Sequence, residues 1–119
     1  MPKSQLPAIY ASFPALEARF GVTISAVSHA GDGNLHPLVA KQIGPGGDPA
    51  HPPAELHEAA TELVRIALSL GGTVTGEHGI GTLKHDWAAL ELSERVRDAQ
   101  HAIKRALDPG HLLNPGKAI

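Results

Sequence analysis

Residues 22 to 40 read VTISAVSHAGDGNLHPLVA, and this stretch decides the fold. The segment from Val22 to His29 is rich in β-branched residues, which favour a strand, and Leu35 to Ala40 reads as the strand that returns. Between them, residues 30 to 34 have the composition of a turn. Pro37 has no N–H to donate, so it must lie on a sheet edge or near the start of its strand. The sequence therefore predicts a β-hairpin.

A helix is predicted before the hairpin. Apolar residues recur at helical spacing from Leu6 to Phe20, with Ser4 as a possible N-cap and Gly21 as the residue that ends the helix. Pro14 removes a backbone donor in the middle of this segment, which predicts a kink or a restart capped by Ser12.

Two further helices are predicted after the hairpin. A Gly/Pro-rich loop at residues 44–53 leads into an amphipathic helix from Leu56 to Leu70, which Gly71 and Gly72 end. Residues 73–75 (Thr-Val-Thr) read as a short strand, and a last helix spans about 93–107 with Ser93 as its cap. The predicted inner stripe of that helix is Val96, Ala99, Ile103, Ala106 and Leu107.

This order of elements predicts an α+β protein. Helix, strand, strand, helix, strand fits a ferredoxin-like unit that lacks its first strand, followed by a C-terminal helix and a tail. On this reading, residues 1–119 form one partial domain.

Composition narrows the possible functions. The 119 residues carry a net charge of −2, which argues against a nucleic-acid partner. The chain contains no cysteine, which excludes thiolate nucleophiles, Cys zinc sites and iron–sulfur ligation, so a bound metal would need His, Asp and Glu. No apolar run is long enough for a membrane span and no signal peptide is evident, so a cytoplasmic location is expected by default.

Two histidines flank the predicted turn of the hairpin. His29 ends the first strand and His36 lies near the start of the second, so a tight hairpin places them nearly opposite each other. Two imidazoles on one sheet face can share a metal ion. The alternative is a pair of polar histidines at strand ends, and the spacing alone leaves both interpretations open.

A second polar pair, Glu77 and His78, lies among glycines at the end of the predicted strand 73–75. Neighbours in an extended backbone point in opposite directions, so one side chain could bind a metal while the other faces a substrate as a general base. The alternative is a glycine-rich turn that carries solvated polar residues. Residues 114–117 (Asn-Pro-Gly-Lys) indicate only a turn.

Taken together, these motifs resemble the FAD-linked oxidase C-terminal domain family, which includes the glycolate oxidase FAD subunit, D-lactate dehydrogenase and D-2-hydroxyglutarate dehydrogenase. The resemblance rests on HAGDGNLHP at 29–37, GGTVTGEHGIG at 71–81 followed by Lys84, and IKRALDP at 103–109 followed by LNPGK at 113–117. The motifs occur in the family's order over nearly the whole chain.

The resemblance implies a role for each matching residue. His29, His36 and Glu77 would bind a divalent metal, often zinc in this family, and His78 would take the proton of the substrate hydroxyl. Asn34 would line the substrate pocket. Asn114 and Lys117 would lie near the flavin.

The resemblance also implies a function, and it implies that part of the enzyme lies outside these 119 residues. The family's enzymes oxidise a small 2-hydroxy acid to the 2-oxo acid with FAD, which is bound mainly by a domain that these 119 residues lack. We therefore expect the C-terminal portion of such an oxidoreductase, inactive by itself and part of the substrate-cap domain. The alternatives are a complementing subunit for a separately encoded FAD domain or other oxidase subunits, and a stand-alone divalent-metal-binding module.

Overall fold

A computed structural model describes residues 1–45, 47–48 and 50–119. The chain forms two compact units, Met1–Gly72 and Thr73–Ile119. Gly46 and Pro49 belong to the predicted Gly/Pro-rich loop at 44–53, so that prediction lies partly outside the described residues.

The first unit contains two helices and a β-hairpin. A 3-10 turn at Lys3–Gln5 leads into α1 (Leu6–Phe20), and α2 (Ala54–Ser69) follows the hairpin. The hairpin strands are β1 (Thr23–His29) and β2 (Asn34–Ala40), which pair antiparallel as a two-stranded sheet within the described residues. The predicted α+β class is confirmed.

The core of the first unit lies between the helices and one face of the hairpin. Side chains alternate between the two faces of a strand, so Ile24 points inward while its neighbours Thr23 and Ser25 are exposed. The buried residues of this core are Ile9, Phe13, Leu16, Val22, Ile24, Ala59 and Leu63. Burying an aliphatic or aromatic side chain of this size contributes about 1.5–3 kcal/mol, so this layer holds the hairpin against the helices.

Helix α1 differs from its prediction at the N-cap, and of the two alternatives predicted for Pro14 the restart does not occur. Ser4 lies inside the 3-10 turn and does not cap the helix, whose N-cap is Gln5 without a side-chain hydrogen bond. The helix also continues through Pro14 without a restart, and the Ser12 hydroxyl donates to the carbonyl of Ile9. Because Pro14 is exposed, the carbonyl that it leaves without a helical donor can meet water. The predicted end at Gly21 is confirmed by its left-handed backbone, with φ of 62°.

The second unit contains α3 (His85–Glu91), which the sequence analysis missed, and α4 (Glu94–Leu107). The predicted cap of α4 is confirmed, because the Ser93 hydroxyl accepts a hydrogen bond from the amide of Val96. None of the residues of α4 is buried, so the prediction that its apolar stripe faces a core of this chain is wrong. Ile103 and Leu107 are 61% and 79% exposed.

The predicted strand at 73–75 does not form. The Val74 amide, which would join a sheet, donates instead to the Glu91 carboxylate at 2.8 Å, and the Thr73 hydroxyl donates to the same carboxylate at 2.7 Å. A side chain of α3 thus satisfies the backbone donor that a neighbouring strand would otherwise accept.

None of the helices in the described part of the chain is long and apolar enough to cross a membrane.

Candidate functional site

The hairpin places His29 and His36 on its outer face, away from the core. The register pairs His29 with Asn34 and Val27 with His36. The two histidines are therefore diagonal neighbours on one face, which is near the opposite placement that the sequence predicted. The turn occupies residues 30–33, one residue fewer than predicted, because Asn34 already pairs in β2. Diagonal neighbours on one face remain within reach of long or aromatic side chains.

The two imidazole rings lie close enough to bind one metal ion. Their centroids are 5.4 Å apart and the ring planes are perpendicular. Two imidazoles that bind one tetrahedral zinc ion at about 2.1 Å have ring centroids roughly 5 Å apart. The spacing and chemistry of this pair therefore fit a divalent metal with imidazole ligands.

The turn between the histidines is held by backbone contacts. The amides of Asp32 and Gly33 both donate to the carbonyl of His29, and Gly33 has a φ of +73°. The Met1 amino group donates to the Gly33 carbonyl at 2.9 Å, and a Cβ at Gly33 would collide with the Met1 carbonyl. A glycine is thus required here on two grounds. Asn34, the predicted substrate contact, lies half-buried beside this turn, opposite His29.

Glu77 and His78 lie in a bend of the second unit. The Nε2 atom of His78 is 3.1 Å from Oε1 of Glu77, and both side chains are largely exposed. The prediction that the two side chains point in opposite directions is therefore wrong. The cause is the backbone, which bends at 76–78 and is not extended.

The bend is crossed by a set of contacts that the sequence analysis did not identify. The Thr75 hydroxyl donates to the Gly79 carbonyl at 3.1 Å, and Nζ of Lys84 lies 3.4 Å from the same hydroxyl. Lys84 also donates its amide to the Ile80 carbonyl. Its position just after the GGTVTGEHGIG stretch was the only signal of this arrangement in the sequence.

The C-terminal tail carries the two residues predicted to lie near a flavin. Asn114 has a φ of +47°, and its carbonyl accepts from the Lys117 amide, which confirms the predicted turn. Both side chains are exposed.

Asp108 organises the start of that tail. It is 6% exposed, pairs with the ammonium of Lys104 and accepts from the amides of Leu112 and Leu113 at 2.9 and 3.0 Å. Lys104 also donates to the Leu113 carbonyl. The Lys104 hydrogen bond, followed by those from Leu113 and Leu112, lowers the pKa of Asp108 to about 2.

This lowered pKa predicts an acid-sensitive tail. A carboxylate whose pKa is lower in the folded state stabilises that state above its unfolded pKa, here 3.8, and loses this contribution as pH falls towards about 2. The NMR signals of the Leu112 and Leu113 amides should shift over this range. Asp108→Asn should remove the shift and disorder the tail at neutral pH, whereas Asp98→Asn in helix α4 should do neither. A tail unchanged by Asp108→Asn would contradict this prediction.

The predicted site residues thus form one group in the first unit and two groups in the second. His29, His36 and Asn34 lie together on the hairpin, and Glu77 contacts His78 in the bend. Asn114 and Lys117 share a turn in the tail.

Comparison with known proteins gives a consistent family match. Residues 1–118 match the family described as FAD linked oxidases, C-terminal domain. The chain is 35% identical over 117 residues to the glycolate oxidase subunit GlcD of Bacillus subtilis, covering 98% of this chain and 24% of the relative. It is 33% identical over 119 residues to GlcD of Escherichia coli K12, covering all of this chain and 23% of the relative.

A third relative carries a different activity in its name. The mitochondrial D-lactate dehydrogenase [cytochrome] of Arabidopsis thaliana is 38% identical over 95 residues, covering 80% of this chain and 16% of the relative. The chain spans about a quarter of the length of the GlcD relatives. The match over residues 1–118 identifies this chain as a member of the FAD-linked oxidase C-terminal domain family.

Proposed function

We propose that this chain is the metal-binding and proton-accepting part of a flavin-dependent oxidoreductase that converts a small 2-hydroxy acid to the 2-oxo acid. The observation that carries the proposal is the His29–His36 pair, whose ring spacing of 5.4 Å suits a shared metal ion. Relatives named as a glycolate oxidase subunit and a D-lactate dehydrogenase support the substrate class.

In this proposal, His29, His36 and Glu77 bind a divalent cation, with zinc the first choice. Two imidazoles and one carboxylate are a ligand set found in catalytic zinc sites, and three protein ligands leave a position open for substrate. When bound, such a cation lowers the pKa of a hydroxyl that it contacts. The assignment of Glu77 rests on the GGTVTGEHGIG motif and on the chemistry of its carboxylate.

His78 accepts the hydroxyl proton of the substrate. Imidazole is the usual general base near neutral pH. The contact of Nε2 with the Glu77 carboxylate favours the tautomer that carries hydrogen on Nε2 and the proton-accepting lone pair on Nδ1. The Glu77 contact thus orients the base as well as selecting its tautomer.

Asn34 and the tail complete the proposed roles. The Asn34 amide lies beside the metal-binding face of the hairpin, where it can donate a hydrogen bond to a substrate oxygen. Asn114 and Lys117 are proposed to contact the flavin, which accepts the hydride when bound. FAD itself would be held mainly by the portion of the relatives that this chain does not cover.

The complementing-subunit alternative is favoured by one observation. Helix α4 presents exposed aliphatic side chains, including Ile103 and Leu107, as a helix that packs against another polypeptide would. The name of GlcD as a subunit allows further oxidase subunits as partners.

Reconstitution tests the proposed activity. The chain would be co-expressed with the part of the Bacillus subtilis GlcD that it does not cover, and flavin bleaching would be followed without oxygen. Glycolate or D-lactate should bleach the flavin of the zinc-loaded complex, whereas the chain alone should be colourless and inactive. An FAD-loaded, zinc-loaded complex bleached by no 2-hydroxy acid would contradict the substrate class. A yellow, active preparation of the chain alone would contradict its need for an FAD domain.

A further inference from the structure

We propose that Thr75 and Lys84 act as positioning residues. Together they form a clamp that fixes the bend carrying Glu77 and His78. The role of the clamp in the reaction rests on the proposed function, whereas its effect on the bend does not. The Thr75 hydroxyl donates across the bend to the Gly79 carbonyl, and the Lys84 ammonium donates to that hydroxyl.

The hydroxyl of Thr75 suits this position because it donates one hydrogen bond and accepts others. Its bond to Gly79 closes the loop of residues 75–79 at a distance of 3.1 Å. The Lys84 ammonium, 3.4 Å from the hydroxyl oxygen, favours the orientation in which the hydroxyl hydrogen points to the carbonyl. Lys84 is anchored independently by the bond from its amide to the Ile80 carbonyl.

The backbone of the bend explains why side chains are needed to fix it. Gly76, Gly79 and Gly81 lie within four positions of Glu77 and His78 in the sequence, and the φ values of Gly79 and Gly81 are +72° and +57°. Glycine adopts such angles at little steric cost but loses more conformational entropy than other residues when ordered. A loop of this composition is therefore not fixed by its own backbone preferences.

The consequence for the site is indirect. Neither Thr75 nor Lys84 is proposed to touch metal or substrate. They hold the peptide units from which Glu77 and His78 extend, as outer-shell partners of metal ligands do. Loss of such partners typically lowers metal affinity about 10–100-fold.

Two substitutions test the clamp from its two ends. Thr75→Val removes the central hydroxyl, and Lys84→Met removes the ammonium while keeping a long side chain. The measurement is the NMR order parameter of the backbone amides of residues 76–79 in the full chain. These values should fall from about 0.85 towards 0.6 in both variants. Thr75→Ser and Lys84→Arg should restore them.

The controls remove similar groups elsewhere. Thr61→Val deletes a hydroxyl that donates to the His57 carbonyl, and Lys41→Met deletes an ammonium paired with Glu55. Neither should alter residues 76–79. Unchanged order parameters in both clamp variants would overturn the proposal. If Thr75→Val does not fold, unchanged order parameters in Lys84→Met alone would overturn it.

Zinc titration separates the clamp from the proposed function. If the unaltered chain binds zinc, both clamp variants should bind it about tenfold more weakly. If the unaltered chain binds no zinc while the order parameters still fall in the variants, the metal centre is wrong and the clamp stands. If zinc binds but neither measurement differs between variants and the unaltered chain, the clamp is overturned and the metal centre stands.

Discussion

Replacing His29 or His36 by alanine should lower the zinc affinity of the chain by about 100-fold, measured by isothermal titration calorimetry. Zinc-finger sites with four protein ligands bind with about 10–16 kcal/mol, or roughly 3 kcal/mol for each ligand. Each 1.4 kcal/mol corresponds to a tenfold change in affinity. Both histidines lie on the outer face of the hairpin, so the fold should survive their removal and circular dichroism should be unchanged.

His51→Ala and His57→Ala are the matched controls. His51 pairs with Asp48 in a loop and His57 lies exposed on α2. Neither belongs to the proposed ligand set, so zinc affinity should stay the same. An equal loss from all four substitutions would mean that zinc binds histidines without a defined site, and the proposed metal centre would be wrong.

The carboxylate ligand is tested in the same titration. Glu77→Gln keeps the size of the side chain but removes its negative charge, so zinc affinity should fall as it does for the histidine variants. Glu58→Gln, on the exposed face of α2, should leave the affinity unchanged. A Glu77→Gln variant with full affinity would remove Glu77 from the ligand set while leaving the histidine pair in place.

Replacing His78 by alanine should lower the rate of flavin reduction in the reconstituted enzyme by about 10²–10⁴-fold, the contribution of a general base. The zinc content, measured by plasma emission after loading with excess zinc, should stay the same because all three proposed ligands remain. Stopped-flow absorbance at saturating 2-hydroxy acid isolates the chemical step from substrate binding.

The contrast with Glu77 makes this second prediction specific. Glu77→Gln should remove both zinc and activity, whereas His78→Ala should remove activity alone. If both variants lose zinc, His78 is a ligand and its assignment as the base is wrong. If His78→Ala reduces flavin at the normal rate, the proton leaves through another group.

The hairpin and its flanking helices could be predicted because their signals are local. The β-branched residues of the strands, the glycine-rich turn and the glycine that ends α2 each determine the structure of the few residues around them. The exact register was harder, since Asn34 joins β2 and shortens the turn by one residue. In the observed register His36 pairs with Val27, which places it diagonal to His29.

Two features of the second unit could not be predicted from local sequence signals. Helix α3 has seven residues, too few for a helical period to be visible. Thr73 and Val74 have strand-forming side chains, yet the Glu91 carboxylate, 17 residues beyond Val74, takes the amide that a strand would use. A contact at such separation has no signature in the composition of either segment.

The sequence predicted the position of helix α4 but not the surroundings of its apolar stripe. Its bounds and its Ser93 cap were readable because capping is local. The amphipathic pattern also predicted an apolar stripe, but not the surface that would cover it. Pattern alone gives the direction of an apolar face without identifying its partner.

The exposed apolar stripe of α4 makes it possible to distinguish selection for folding from selection for association with another surface. A mutational scan scored by folding of this chain should tolerate charged residues at Val96, Ile103 and Leu107, whose aliphatic atoms fill no core here. The same scan should reject charge at Ile9 and Leu63, which are almost fully buried. Selection that kept the α4 positions aliphatic would therefore act through association with another surface and not through the folding of these residues.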